Sequence, residues 1–249
     1  MYTNAFLCTI GILLPFLGTA VGAGAVWLVP GDTKLRLRKV FYGFAAGVML
    51  ASLVWSLLIP AMEQGPSPLP AFLGFFSGFC FFLFCEGIFD RAAQNGELSG
   101  TKKMIFAVTL HNLPEGMAVG VAFAGVLTEP KLSVEGAMLL SVGIALQNLP
   151  EGSIISTPLA SGGSAKSKAF GIGVLSGIVE PIGAILALLL TRLITGILPF
   201  VLSFAAGAML YVAADELIPA LSDGTGKRAG LFAMGAGFAV MMAMDVIFA

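Results

Sequence analysis

The chain has 249 residues, a mass of 25.7 kDa and a formal net charge of −1, with 57% hydrophobic and only 11% charged residues. Those proportions, with a mean hydropathy of +0.97, exclude an ordinary soluble globular domain and assign most of the chain to lipid. No basic stretch points to a nucleic-acid partner, and none is expected.

A helix needs roughly 20 apolar residues to cross a bilayer. Eight stretches qualify, at about 5–29, 40–62, 69–89, 104–127, 136–158, 169–191, 197–219 and 229–249, separated by short segments with Pro, Gly and most of the charges. The expected fold is all-α: a polytopic membrane protein of eight transmembrane helices forming a single domain over 1–249. The first stretch has no Lys or Arg before Lys34, so it lacks the basic region of a secretory signal and is expected to persist as a helix. Twenty Phe and thirty-two Gly suit helices that pack closely and otherwise face acyl chains. Cys8, Cys80 and Cys85 fall within apolar stretches and read as small buried hydrophobes. Eleven of the 13 basic residues lie in alternate loops: Lys34, Arg36, Arg38 and Lys39; Arg91, Lys102 and Lys103; Lys166 and Lys168; Lys227 and Arg228. Lys131 and Arg192 stand on the other side. Basic loops stay cytoplasmic, which leaves both termini extracytoplasmic.

The chain also repeats itself. FAAGVML at 44–50 recurs as FAAGAML at 204–210, and LIPA at 58–61 recurs at 217–220, offsets of 160 and 159. SGF at 77–79 and Glu86 match AGF at 236–238 and Asp245, again 159 apart, and GILLP at 11–15 echoes GIVEP at 177–181. Stretches one to three (1–90) and six to eight (168–249) therefore read as two repeats around a central pair (103–158). An odd number of crossings between the copies inverts the second, and such 3+2+3 inverted repeats are a transporter feature, with the substrate site near the midplane.

The central pair carries the chemistry. The fourth stretch holds His111-Asn112-Leu113-Pro114-Glu115-Gly116 and the fifth holds Gln147-Asn148-Leu149-Pro150-Glu151-Gly152, identical at five of six positions. On a helix, His111 and Asn112 lie one turn before Glu115, so one carboxylate can serve two neighbouring sites; Gln147, Asn148 and Glu151 repeat the arrangement. Each proline frees a backbone carbonyl, which is tolerable only against protein or a water-filled cavity, and the helices are expected to bend there. Glu86, Glu115, Glu151, Glu180, Asp215, Glu216 and Asp245 all fall within the stretches, with no Lys or Arg near the middle of any to pair with them. Their repulsion must be relieved by protons or bound cations. Imidazole and carboxamide groups beside carboxylates favour a transition metal over Ca²⁺ or Mg²⁺. Asp215 and Glu216 also suit snorkelling to an interface. Met49 and Met209, at matching repeat positions, read as core fillers or as a soft lining of the same pathway.

The two hexapeptides, on the fourth and fifth of eight helices, resemble the signature of the ZIP (Zrt/Irt-like) metal transporters, especially the bacterial members, and the likeness spans essentially the whole chain. The resemblance implies transport of zinc, iron, manganese or cadmium toward the cytoplasm across the cell (inner) membrane, with the divalent transition metal as cargo. It implies a binuclear site: His111, Glu115, Gln147 and Glu151 around one ion, and Asn112, Glu115, Asn148, Glu151 and Glu180 around the other. The implied partners are divalent metal ions and the lipid bilayer, and a homodimer is allowed. Two features depart from the family: many members have His where Gln147 stands, and many carry a long His-rich loop after the third helix. Two other classes use similar groups, an intramembrane carboxylate-metal enzyme and a proton-coupled carrier of another solute. Against the first stand the single His and the missing HExxH motif; against the second, the lack of intramembrane Lys or Arg to hold an anionic substrate.

Overall fold

The computed structural model describes residues 2–28, 35–63, 67–95, 100–128, 133–193, 197–222 and 224–248. Among them all regular structure is helical: α1 (Tyr2–Ala23), α2 (Ala25–Leu28), α3 (Leu35–Ser52), a π-helical segment Leu53–Leu58, α4 (Ile59–Glu63), α5 (Leu69–Gln94), α6 (Gly100–Thr128), α7 (Val134–Ser161), α8 (Lys166–Gly177), α9 (Val179–Leu193), α10 (Leu198–Val212), a second π-helical segment Ala213–Leu217, a 3-10 turn Pro219–Leu221, and α11 (Lys227–Phe248). Each apolar stretch of the sequence corresponds to one of these helices or to a run of them. Seven runs among the described residues are long and apolar enough to cross a bilayer, and α6 adds a 29-residue helix that carries the first hexapeptide. Lys34 and Lys131, two of the residues behind the expected orientation, lie outside the described residues.

Four helix pairs make the closest contacts: α1 with α7, α3 with α11, α5 with α10, and α6 with α9. Lipid supplies no hydrophobic drive between helices, so association rests on close van der Waals approach, and small residues permit it. Glycine provides it in every pair. A Cβ on Gly47 would strike the Met234 carbonyl and the Phe238 amide, and one on Gly207 would strike the Phe75 carbonyl and the Phe79 amide. Gly237 faces the Phe44 carbonyl as Gly78 faces that of Phe204. The same holds where α1 meets α7 and α6 meets α9: Gly152 abuts the Thr19 carbonyl as Gly116 abuts that of Glu180, and Gly22 meets Leu149 as Gly183 meets Leu113.

These contacts come in twins. Residues 44 and 47 map to 204 and 207 with an offset of 160, while 75, 78 and 79 map to 234, 237 and 238 with the 159 offset read from the sequence. The equivalent rings Phe79 and Phe238 each take an edge-to-face partner, Tyr211 at 5.4 Å and Trp55 at 5.5 Å. For α1 and α9 the contacts correct the sequence alignment. Thr19 stands opposite Gly152 as Glu180 stands opposite Gly116, and Gly22 pairs with Gly183, an offset of 161 where the GILLP and GIVEP echo implied 166. The echo misled because short apolar words match at several registers, whereas a backbone contact has only one.

Two features of the helices were not expected. The sixth stretch breaks at Ile178 into α8 and α9, which puts Glu180 in the first turn of α9. The second and seventh stretches each pass through a π segment, six residues in one and five in the other, between their FAAG and LIPA words. That one-residue difference accounts for the change of offset from 160 to 159. The three cysteines form no disulfide and are half-buried, less enclosed than expected.

The twinned contacts make a sharp prediction. Gly207→Val places a branched side chain against the Phe75 backbone, which cannot yield, and should cost about 3 kcal/mol or more; Gly87, where an added methyl would meet nothing within 4 Å, should accept Ala. Thermal unfolding of the detergent-solubilised variants would check both: Gly207→Val should melt well below the wild type and Gly87→Ala with it.

Candidate metal site

α6 and α7 lie against each other and run unbroken through Pro114 and Pro150, with α9 behind α6 and α1 behind α7. The glycine that closes each hexapeptide sets this spacing: Gly116 lets α6 touch the Glu180 backbone and Gly152 lets α7 touch that of Thr19. The carboxylates of Glu115, Glu151 and Glu180 are thereby drawn into one region, close enough for their charges to interact. Asn112, Glu115, Gln147, Asn148 and Glu180 are fully buried, and Glu151 is 6% exposed. Glu180 sits at the N-terminal turn of α9, where the helix dipole favours a negative charge. His111 lies in α6 one turn before Glu115; its side chain is outside what the structure describes.

Hydrogen bonds satisfy only part of this cluster. Gln147 Nε2 donates to Glu115 Oε1 at 2.5 Å, Thr19 Oγ1 donates to Glu180 Oε1 at 2.6 Å, and Asn112 Nδ2 donates to the Ser176 carbonyl at 3.2 Å. The Asn148 carboxamide lies beside both Glu115 and Glu180 without closing a hydrogen bond of ordinary geometry to either. Nine buried side-chain atoms among the described residues have no partner, and seven of them belong here: Asn112 Oδ1, Glu115 Oε2, Gln147 Oε1, both polar atoms of Asn148, Glu151 Oε2 and Glu180 Oε2. Each buried polar group left unpaired costs about 1–3 kcal/mol, more when charged. Six of these atoms are oxygens, three of them from carboxylates, and buried oxygens of this kind form a hard, negative set that suits a cation. Among the described residues no three His, Cys, Asp or Glu side chains close into a single shell.

Of the remaining acidic candidates, Glu216 borders this cluster and Asp245 and Glu86 have partners of their own. Asp245 on α11 is 8% exposed and accepts from Ser56 Oγ at 2.8 Å. Glu86 on α5 is half-buried beside Tyr211. Asp215 is exposed, and half-buried Glu216, in the same π segment, is near enough to Glu151 for the two charges to interact. Met49 and Met209, each 1% exposed, belong to the main apolar cluster at repeat-equivalent positions. Sequence reasoning missed Thr19 and the Ser176 carbonyl. Thr19 could have been found only from the correct α1–α9 register, and a carbonyl at a helix end leaves no signal in residue type.

Comparison with known proteins points one way. A family model described as ZIP Zinc transporter matches residues 103–245. The zinc transporter GufA of Myxococcus xanthus is 35% identical over 92% of this chain and 94% of its own length. Zinc transporter ZIP11 of Homo sapiens is 31% identical over 98% of each chain. Zinc transporter ZIPB of Bordetella bronchiseptica is 31% identical over 92% of this chain and 77% of its own.

Because Gly116 holds α9 against α6, Gly116→Ala should push the Glu180 backbone away and dismantle the donor set. Displacements near 1 Å at a reacting centre cost up to about a hundredfold. Metal uptake into proteoliposomes should fall at least about tenfold, and the stabilisation that zinc gives the solubilised protein should disappear. Gly171→Ala, with open space around the added methyl, should behave as wild type in both assays.

Proposed function

The chain belongs to the ZIP zinc transporter family, and on that premise we propose that it moves zinc, and with it iron, manganese or cadmium, toward the cytoplasm through a binuclear site on α6, α7 and α9. It is a transporter and not an enzyme. The observation that carries the site is the cluster of six buried, unpartnered oxygens from Asn112, Glu115, Gln147, Asn148, Glu151 and Glu180. His111, Glu115, Gln147 and Glu151 would hold one ion, and Asn112, Glu115, Asn148, Glu151 and Glu180 the other, with the two hexapeptide glutamates bridging. Charge supports either occupancy: three carboxylates carry −3, so one divalent ion leaves −1 and two leave +1, each nearer neutrality than the bare cluster. Gln147 suits a double role, since its Nε2 already donates to Glu115 while its Oε1 stays free for a metal.

The twinned glycine contacts support an eight-crossing, 3+2+3 arrangement in which two inverted three-helix repeats enclose α6 and α7. The contacts are exchanged in sense: the first repeat's α1 grips α7 while the second repeat's α9 grips α6. The distribution of basic residues supports extracytoplasmic termini in a cell membrane, the inner one in a bacterium. In that frame Asp245 lies toward the outer surface and Glu86, Asp215 and Glu216 toward the inner, where carboxylates would concentrate cations at the two mouths of the pathway.

Glu115→Ala and Glu151→Ala should each nearly abolish uptake, because a bridging carboxylate serves both ions; wild-type transport by either at matched expression would remove the binuclear site. Selectivity rests on the one mismatch between the hexapeptides. Imidazole nitrogen binds zinc more strongly than carboxamide oxygen, while harder ions such as manganese lose less by the exchange. Gln147→His should therefore raise zinc affinity, narrow the preference toward zinc and slow maximal transport, since conduction needs release as well as capture. Competition among zinc, cadmium and manganese during uptake would reveal it.

A further inference from the structure

Thr19 belongs to neither hexapeptide, yet it sits where several of the contacts around the site meet. It is fully buried in the C-terminal part of α1. A threonine hydroxyl inside a helix ordinarily bonds the carbonyl one turn back; this one donates across the helix boundary to Glu180 Oε1 at 2.6 Å. The neighbouring backbone makes room for the pair. A Cβ on Gly177, at the end of α8, would lie 2.9 Å from both Thr19 Cβ and Cγ2 and 3.2 Å from Glu180 Oε1. The Thr19 carbonyl is in turn the surface on which Gly152, and with it Glu151, is seated. By the 161-residue register, Thr19 is also the repeat counterpart of Glu180 itself. One copy of the repeat thus supplies the carboxylate and the other the hydroxyl that holds it.

We propose that Thr19 is a positioning residue of the metal pathway, fixing Oε1 of Glu180 so that the carboxylate offers the transported ion a single oxygen, Oε2. The proposal rests on the reading of Glu180 as a metal ligand. Both atoms behave accordingly: Oε1 has its donor, and Oε2 is buried without a partner. A carboxylate held on one side cannot swing to chelate an ion through both oxygens, so the grip on the metal is set by a neutral hydroxyl that never touches it. Removing the hydroxyl frees the carboxylate to rotate and leaves a second oxygen unpaired.

Zinc uptake into proteoliposomes, measured across zinc concentrations for Thr19→Val, Thr19→Ala, Thr19→Ser and Glu180→Gln, tests this. Losing a charge-assisted hydrogen bond should raise the KM of Thr19→Val about three- to tenfold while Vmax per reconstituted molecule stays within about twofold; Thr19→Ser, which keeps the donor, should match wild type. A residue that served packing alone would lower the amount of folded protein and leave KM unmoved. An unchanged KM in Thr19→Val overturns the proposal, as does a Thr19→Ser variant shifted as far as Thr19→Val. Should Thr19→Val fail to accumulate in membranes, the Ala and Ser variants carry the same comparison: KM raised in Ala alone supports the proposal, and KM raised equally in both overturns it. Glu180→Gln separates the two levels. If it transports with wild-type kinetics, the assignment of Glu180 as a ligand falls and the proposal falls with it; if it is impaired while Thr19→Val is not, only the role of Thr19 is lost.

Discussion

Three carboxylates buried in the bundle interior, with no Lys or Arg among the cluster's contacts within the described residues, are the constraint on which the rest of this structure depends. Charges in that setting are costly unless something compensates them, and the protein compensates with geometry. Two hexapeptides bring Glu115 and Glu151 together with the carboxamides of Asn112, Gln147 and Asn148. A break at Ile178 starts a new helix whose first turn carries Glu180. Glycines at 116 and 152 then let the flanking helices approach until backbones touch, so the donor atoms converge from α6, α7 and α9. The backbone contacts are of the kind that joins every tight helix pair here, and at this point they also set the spacing of the negative oxygens.

Much of this was legible in the sequence because the responsible signals are local. Polar residues in apolar stretches stand out by composition, and Asn112, Glu115, Gln147, Asn148 and Glu151 declare their shared face through a spacing of three and four. The repeat was legible because FAAG and LIPA recur at nearly constant offsets, and the FAAG words turned out to hold glycines of the tight pairs. What stayed hidden is tertiary. The pairing of Thr19 with Glu180 spans 161 residues and involves a residue type that is unremarkable in a membrane helix. The break at Ile178 follows no proline; the nearest, Pro181, lies beyond it in the first turn of α9. Asp245 and Glu86 looked like further members of one acidic set, yet their partners, Ser56 and Tyr211, belong to other helix pairs.

The two proposed repeats share a scaffold without sharing a role. Where α1 and α9 grip the central pair the backbone contacts are equivalent, but the side chains at the matching position are a threonine and a glutamate. A perfectly repeated pair would have offered two hydroxyls, too weak to add to the ligand set, or two carboxylates, too repulsive to bury beside Glu115 and Glu151. The mixed pair resolves this, one partner supplying charge and the other a proton to hold it. In the proposed repeat, duplication supplies the frame and the difference at one position supplies the chemistry within it.

The π segments carry a consequence of their own. A π turn is an α-helix with one residue inserted and the strain kept local, so Leu53–Leu58 and Ala213–Leu217 act as registers between the two parts of their helices. Excising a single inserted residue from such a turn would let the helix relax to ordinary winding while everything beyond it keeps its face, whereas the same excision from a regular turn would rotate everything beyond it by about 100°. The LIPA words, with Pro60 and Pro219, would then keep their neighbours as the FAAG words keep theirs. The two segments differ by one residue, six against five, and the offset between the repeated words changes by one across them. In a bundle whose glycine contacts tolerate no added methyl, these two widened turns are the places where length can change without disturbing the fit.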